Sequence, residues 1–151
     1  MADEVRGIRV SIPSHPRFLA PVRDLAAWSA EQAGFGCEDT EAITLAVTEG
    51  CTNVIRHCYG GKHNERIDVD ISFSTRALTI RIDDYGTFVD PASIHSRDLD
   101  EVRPGGLGVH LMQQVMDQVR YERNAWGGTS LTLMKHIQGD DHVLRSGELD
   151  G

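Results

Sequence analysis

What the chain lacks sets the first limits. No apolar run approaches the roughly 18 residues of a membrane-spanning helix, so no membrane role is expected. There is no run of Lys or Arg, and 15 Lys+Arg stand against 23 Asp+Glu for a net charge of −8. Such a surface repels a phosphate backbone, so direct nucleic-acid binding is not expected, whereas a basic protein partner is compatible with it. Cysteine is scarce. Cys37, Cys51 and Cys58 are an odd count with no Cys-x-x-Cys pair, which argues against a disulfide framework and against a zinc site. The N-terminal MADEVRGIRV carries acid early and no apolar stretch, so no secretory leader and a cytoplasmic location are expected. Three nucleotide-binding signatures are also missing: the P-loop, Gly-x-Gly-x-x-Gly and the His-Arg-Asp set.

What is present reads as one folded domain. The 151 residues are 40% hydrophobic and 25% charged, an ordinary globular balance. Residues 6–12 alternate as a strand with Ile8, Val10 and Ile12 on one face. Residues 17–33 have helical spacing through Phe18, Val22, Leu25 and Trp28, and Gly34 and Gly36 end them. A second helix is predicted over 39–58, capped by Asp39 or Thr40, with Ile43, Val47, Cys51 and Val54 as its apolar stripe. Cys51 and Cys58, two turns apart, are expected to pack on one face. Two alternating strands follow at 66–74 and 77–84. Residues 85–106 have the length and composition of a functional loop. A third helix is predicted over 107–117, then strands at 118–124 and 128–137. The order β-α-α-β-β-α-β-β implies an α+β two-layer sandwich: a mixed, mostly antiparallel sheet with three helices on one face. Residues 1–138 form the domain, and 139–151 read as a polar, frayed tail.

Three places have residues suited to chemistry. On the second helix, Glu49, Asn53 and His57 recur every four residues, on a face away from the apolar stripe. Taken alone that is also the pattern of a solvated face. A carboxylate and an amide one turn apart are nevertheless hard oxygen donors for Mg²⁺ with phosphates, or a base for a hydroxyl nucleophile. Asp84 shares the parity of Leu78, Ile80 and Ile82, so its carboxylate points to the core side, where it must be paired or bind something. Gly86 leaves room beside it for a flat ligand, and an adenine amino group is a fitting donor; the alternative is an Asp that caps the turn. Finally, Arg103-Pro-Gly-Gly-Leu-Gly108 opens the third helix, where glycine amides and the helix N-terminus suit an anion, or simply make a turn.

The order of these pieces resembles the ATP-binding fold of gyrase, MutL proteins and histidine kinases (the GHKL superfamily, or Bergerat fold). Within it the chain looks most like the bacterial anti-sigma factor serine kinases. The resemblance rests on AVTEGCTNVIRHCY (46–59), IDDYGTFVDP (82–91), GGLGVHLMQQVMDQV (105–119) and GGTSLTLMK (127–135). It implies ATP and Mg²⁺ as cofactors, with Asn53 holding Mg²⁺ and Glu49 as the base that activates a serine. Asp84 would read the adenine amino group with Gly86 packed beside the base. Gly105, Gly106 and Gly108 would lie at the phosphates, Arg56 near them, and 92–104 would be the lid. Either Thr129 or Ser130 would join the adenine site. One departure stands out: relatives often have a second glycine where this chain has Phe88, and the lid offers only Arg97 and Arg103 as obvious phosphate ligands.

The resemblance further implies a homodimer that regulates transcription, as in stress response, by partner switching. It would bind a sigma factor, and it would phosphorylate the anti-anti-sigma antagonist. Two alternatives keep the fold: a non-catalytic sequestering module, and a switch kinase that controls another signalling enzyme.

Overall fold

A computed structural model describes residues 6–88 and 104–137. The expected lid, apart from Pro104, and the expected tail lie outside the described residues. The first strand, β1 (Arg6–Pro13), leads through a short 3-10 turn into α1 (Leu19–Ala33) and then α2 (Cys37–Asn53). Strands β2 (Arg66–Phe73) and β3 (Ala77–Asp84) follow, then α3 (Pro104–Val115), β4 (Gln118–Arg123) and β5 (Thr129–His136). The element order matches that read from the sequence. The sheet runs β1-β2-β3-β5-β4. All four pairings are antiparallel, including β3 with β5 across the α3 connection. The α+β reading holds, and no parallel neighbour makes the sheet mixed among the described residues.

Strand parity separates the two faces of the sheet. Ile67, Val69, Ile71, Leu78, Ile80, Ile82, Leu131 and Leu133 are buried, and the helices cover that face. The other face carries Arg9, Asp68, Asp70, Arg81 and Asp83. Asp68 and Asp83 sit directly opposite one another, a repulsive arrangement that each strand offsets with its own arginine. Arg66 reaches Asp68 and Arg81 reaches Asp83, both at 2.9 Å.

Three helix details depart from expectation. In α1 the buried positions are Val22, Ala26, Ser29 and Ala30, whereas Trp28 is 48% exposed. Small side chains let α1 close on α2, and the bulky indole is left at the rim. The second helix starts two residues early, with Gly36 at its N-cap and no side-chain cap. Glu38 and Asp39 stand in its first turn, where their charge complements the helix dipole. At its other end, residues 54–58 widen into a π-helical turn, with Tyr59 N–H donating to the Val54 carbonyl at 3.0 Å. Such turns are rare and concentrate at functional sites.

Gly50 explains why α2 lies so close to the sheet. A Cβ there would stand 2.9 Å from Ile82 Cδ1 and 3.0 Å from Leu131 Cδ2. A side chain there would have to displace those two buried methyl groups or move the helix away from the end of β3. At the other end of the layer, Lys135 Nζ donates to the Val115 carbonyl at 2.7 Å and so closes the last turn of α3 from β5.

Candidate nucleotide-binding site

The end of β3 delivers Asp84 to the floor of a cavity of about 20 Å³. The cavity is lined by Gly50, Asn53, Val54, Cys58, Ile82, Asp84, Tyr121, Thr129 and Leu131. It therefore draws on α2, its π turn, β3, β4 and β5. Such a volume holds about one water, so it receives the edge of a ligand rather than a whole one.

Asp84 has no solvent exposure, and its two oxygens are treated unequally. Oδ1 accepts from Gly86 N–H at 3.0 Å and from Thr129 N–H at 3.2 Å. Oδ2 has no hydrogen-bond partner among the described residues. Burial raises the carboxyl above its ordinary 3.8, against the pull of the Thr129 N–H, the Cys58 thiol and the Gly86 N–H. An unpaired carboxylate oxygen lining a small pocket beside the Cys58 thiol suits a single N–H donor, such as an exocyclic amino group.

The surroundings are built so that Asp84 cannot move. Gly86 passes so close that a Cβ would lie 2.9 Å from the Cys58 carbonyl oxygen and 3.5 Å from Asp84 Oδ1. A Cβ on Gly128 would collide with the Asp84 carbonyl and lie 2.7 Å from its Oδ1. Only glycine fits at either place. The Tyr59 hydroxyl donates to the Arg66 carbonyl and accepts from Tyr85 N–H at 2.7 Å, which ties the π turn to both strands.

Asn124 locks the β4–β5 hairpin to the end of β3. Its Nδ2 donates to the Asp84 carbonyl at 2.8 Å, and its Oδ1 accepts from Trp126 N–H and Gly128 N–H at 3.1 and 2.9 Å. Asn124→Ala strips these bonds from a buried site, at about 1–3 kcal/mol for the orphaned groups. The urea midpoint should fall accordingly; a loss below about 0.5 kcal/mol, the scale of a neutral surface change, would contradict this role.

Asn53 is only 5% exposed, and neither its Oδ1 nor its Nδ2 has a partner among the described residues. A buried amide with both ends unused is expensive, and a ligand that supplied the partners would offset that cost. This corrects the expectation of an outward polar face: Asn53 lines the cavity because α2 is covered by the sheet, α1 and α3. Glu49, one turn earlier, is half-buried with no partner among the described residues. His57 is half-buried and is not among the cavity-lining residues. Arg56 is exposed on the π turn and also stands outside the lining.

Thr129, and not Ser130, faces the cavity; Ser130 pairs with Asp83 on the opposite parity. Cys51 and Cys58 do not share a role. Cys51 belongs to the core, whereas Cys58 faces the cavity beside Asp84. Burial, and for Cys58 also the Asp84 charge, pushes both thiols up to about 12, so neither is a thiolate nucleophile at neutral pH.

The third helix begins at Pro104, three residues earlier than expected. Gly105 and Gly106 thus occupy its first turn, where amides have no intrahelical partner. Gly108 sits a turn further in, where its amide closes onto the Pro104 carbonyl in a regular helix. Phe88 is held at the hairpin, its N–H donating to the Gly127 carbonyl at 2.9 Å, with Arg123 over its ring at 5.4 Å.

The residues present fit a purine nucleotide with a divalent cation. Asp84 Oδ2 offers one acceptor, and Asn53 offers an amide oxygen. No group of three or more His, Cys, Asp or Glu among the described residues could hold a metal ion. Among the described residues no helix is long and apolar enough to cross a membrane.

A two-layer α+β fold whose sheet end carries a buried Asp-x-Gly opposite a helix with Glu and Asn defines an ATPase-type nucleotide-binding domain. Comparison with known families agrees: the profile described as histidine kinase-like ATPase domain matches residues 12–135. The chain belongs to that family. Among curated proteins it is similar to the serine-protein kinase RsbW of Bacillus velezensis, at 28% identity over 94% of both chains. The Bacillus subtilis protein of the same name is 26% identical over the same shares. That of Listeria monocytogenes serovar 1/2a is 29% identical, over 86% of this chain and 87% of the relative.

Proposed function

We propose that this protein is an ATP-dependent serine/threonine kinase that acts as an anti-sigma factor. The unphosphorylated antagonist would displace the sigma factor, and this protein would phosphorylate and disable the antagonist and so hold the sigma factor again. The observation that carries the nucleotide half of this reading is the pair of unsatisfied groups, Asp84 Oδ2 and the Asn53 amide, on residues that line one small cavity. The kinase half is supported by the relatives named serine-protein kinase, matched over nearly the full chain.

In this mechanism Asp84 anchors the adenine amino group, and the N–H groups of Gly86 and Thr129 keep the carboxylate aimed; Gly86 itself packs against the Cys58 carbonyl and is not part of the cavity lining. Asn53 would hold Mg²⁺, which would supply positive charge to the phosphates. The amides of Gly105 and Gly106 face the phosphates from the start of α3, and Arg56 adds positive charge from the π turn. Glu49 accepts the proton of the antagonist's serine as its oxygen bonds to the γ-phosphorus; the bond to the β–γ bridging oxygen breaks and ADP leaves. The acidic surface suits a basic patch on the sigma factor.

Transfer of label from [γ-³²P]ATP to a serine-bearing antagonist tests the reading. Phosphoserine that depends on Mg²⁺ and on Glu49 is the expected product. The rival is a non-catalytic sequestering module, favoured by the small size of the cavity, about 20 Å³. Sigma-factor binding without any label transfer would establish that rival. Transfer to another signalling enzyme, with no sigma factor bound, would establish a switch kinase.

A further inference from the structure

Three sides of α2 are taken: α1 packs on one, α3 on another, and the sheet lies beneath. The side left over carries Glu38, Glu41, Leu45, Glu49, Thr52 and Arg56 at steps of three and four residues, which makes one continuous stripe along the helix. Leu45 is the one large apolar side chain on that stripe. It is 43% exposed and takes no part in the core, and it stands one turn before Glu49. Thr48 and Thr52 border it, and each hydroxyl donates to the carbonyl one turn earlier at 2.8 Å, so both donors are spent on the helix itself. Glu38 and Glu41 are exposed beyond Leu45, and neither has an ion-pair partner among the described residues. The spacing of the stripe matches that of an extended chain. Four helical residues advance about 6 Å, and alternate residues of a strand, which point the same way, repeat at about 6.6 Å. A strand laid along the stripe with a serine at Glu49 therefore sets a side chain two residues away over Leu45, and one four residues away over Glu41.

We propose that this stripe docks the segment of the protein substrate that carries the phosphoacceptor serine, with an aliphatic side chain two residues from the serine on Leu45 and a basic one four residues from it on Glu41. This rests on the kinase reading above and deepens it by naming the substrate class: an extended segment with the pattern basic-x-aliphatic-x-Ser, in one chain direction or the other. Leu45 fixes the register of the segment, and so decides which hydroxyl reaches Glu49. The unpaired carboxylates at the start of α2 favour the basic residue by charge complementarity.

The test uses the full chain, Mg-ATP and alanine-based peptides with one central serine. One peptide has Leu two residues and Lys four residues before the serine, a second has them after it, and a third has neither. Label transfer from [γ-³²P]ATP gives kcat/KM for each, and calorimetry gives ATP affinity. Wild type should favour one of the first two peptides over the third by about tenfold or more, the scale of one aliphatic contact. Leu45→Ala should lose most of that preference while ATP affinity and melting temperature stay at the wild-type values. Glu41→Lys should instead favour the same peptide with Glu in place of Lys, a reversal that a merely structural effect does not produce. Equal kcat/KM for all three peptides with wild type overturns the docking, even should a variant fail to fold. So does a wild-type chain that labels a serine-bearing antagonist and none of the peptides. A chain that binds Mg-ATP and labels neither is a different result, and overturns the kinase reading itself.

Discussion

Asp84→Asn should abolish nucleotide binding while making the ligand-free protein more stable. The substitution keeps the shape, and the Asn oxygen still accepts from Gly86 and Thr129 N–H in place of Oδ1. The amide NH₂ then replaces Oδ2, the oxygen that has no partner. Two donors now face each other where the ligand's amino group enters, so affinity should drop by about 100-fold or more, roughly 3 kcal/mol. Without nucleotide the balance reverses, because the variant has no buried charge to desolvate.

The pH dependence of stability follows from the same carboxyl. In the unfolded chain Asp84 ionises near 3.8, and in the folded protein higher. The folded state therefore holds the proton more tightly. As pH rises from the first value through the second, wild type loses stability that Asp84→Asn retains. Melting curves across acid pH should coincide most closely below 3.8 and separate above it. A variant that melts below wild type at neutral pH, or that still binds Mg-ATP with wild-type affinity, would contradict this account. Nucleotide binding needs the ionised carboxylate, so it should weaken on acidification at a pH above that of an ordinary aspartate.

Glu49→Gln should have the opposite signature: ATP affinity close to wild type and phosphoryl transfer reduced by about 100- to 10,000-fold, the range for a lost general base. The side chain is half-buried one turn before Asn53, and it is not part of the cavity lining. It is thus free to meet a substrate hydroxyl without touching the purine. Single-turnover label transfer, measured beside calorimetric ATP binding, separates the two effects. Equal losses in both would mean that Glu49 shapes the nucleotide site instead of serving as the base.

The parts of this architecture that depend on periodicity were legible from the chain. Alternation in β2 and β3 placed Asp84 on the core side, and parity alone predicted its burial. The apolar stripe of α2 was equally clear, since Ile43, Val47, Cys51 and Val54 are all buried. What the sequence hid depends on tertiary closeness. Asn53 looks outward on an isolated helix and becomes buried only because Gly50 brings α2 against Ile82 and Leu131. The π turn leaves no mark in the pattern, so Cys51 and Cys58 looked equivalent when one serves the core and the other the cavity.

Two further residues were missed for different reasons. Asn124 stands just before the Trp126-Gly-Gly turn, where an Asn side chain commonly organises the backbone, so a signal existed. Its bond to the Asp84 carbonyl spans 40 positions and had none. Tyr121 shares the parity of Val119 on β4, which already indicated an inward side chain. Its hydroxyl, without a partner among the described residues, is enclosed only once the cavity is closed by α2.

Everything proposed here rests on the end of β3 being a nucleotide site. Calorimetric titration of Mg-ATP into the folded wild-type chain tests that most directly. One nucleotide per chain, bound in the micromolar range and weakened when Mg²⁺ is chelated, is the predicted result. A chain that melts cooperatively yet gives no heat with Mg-ATP would contradict it, and would leave a protein that kept the fold of an ATPase without its ligand.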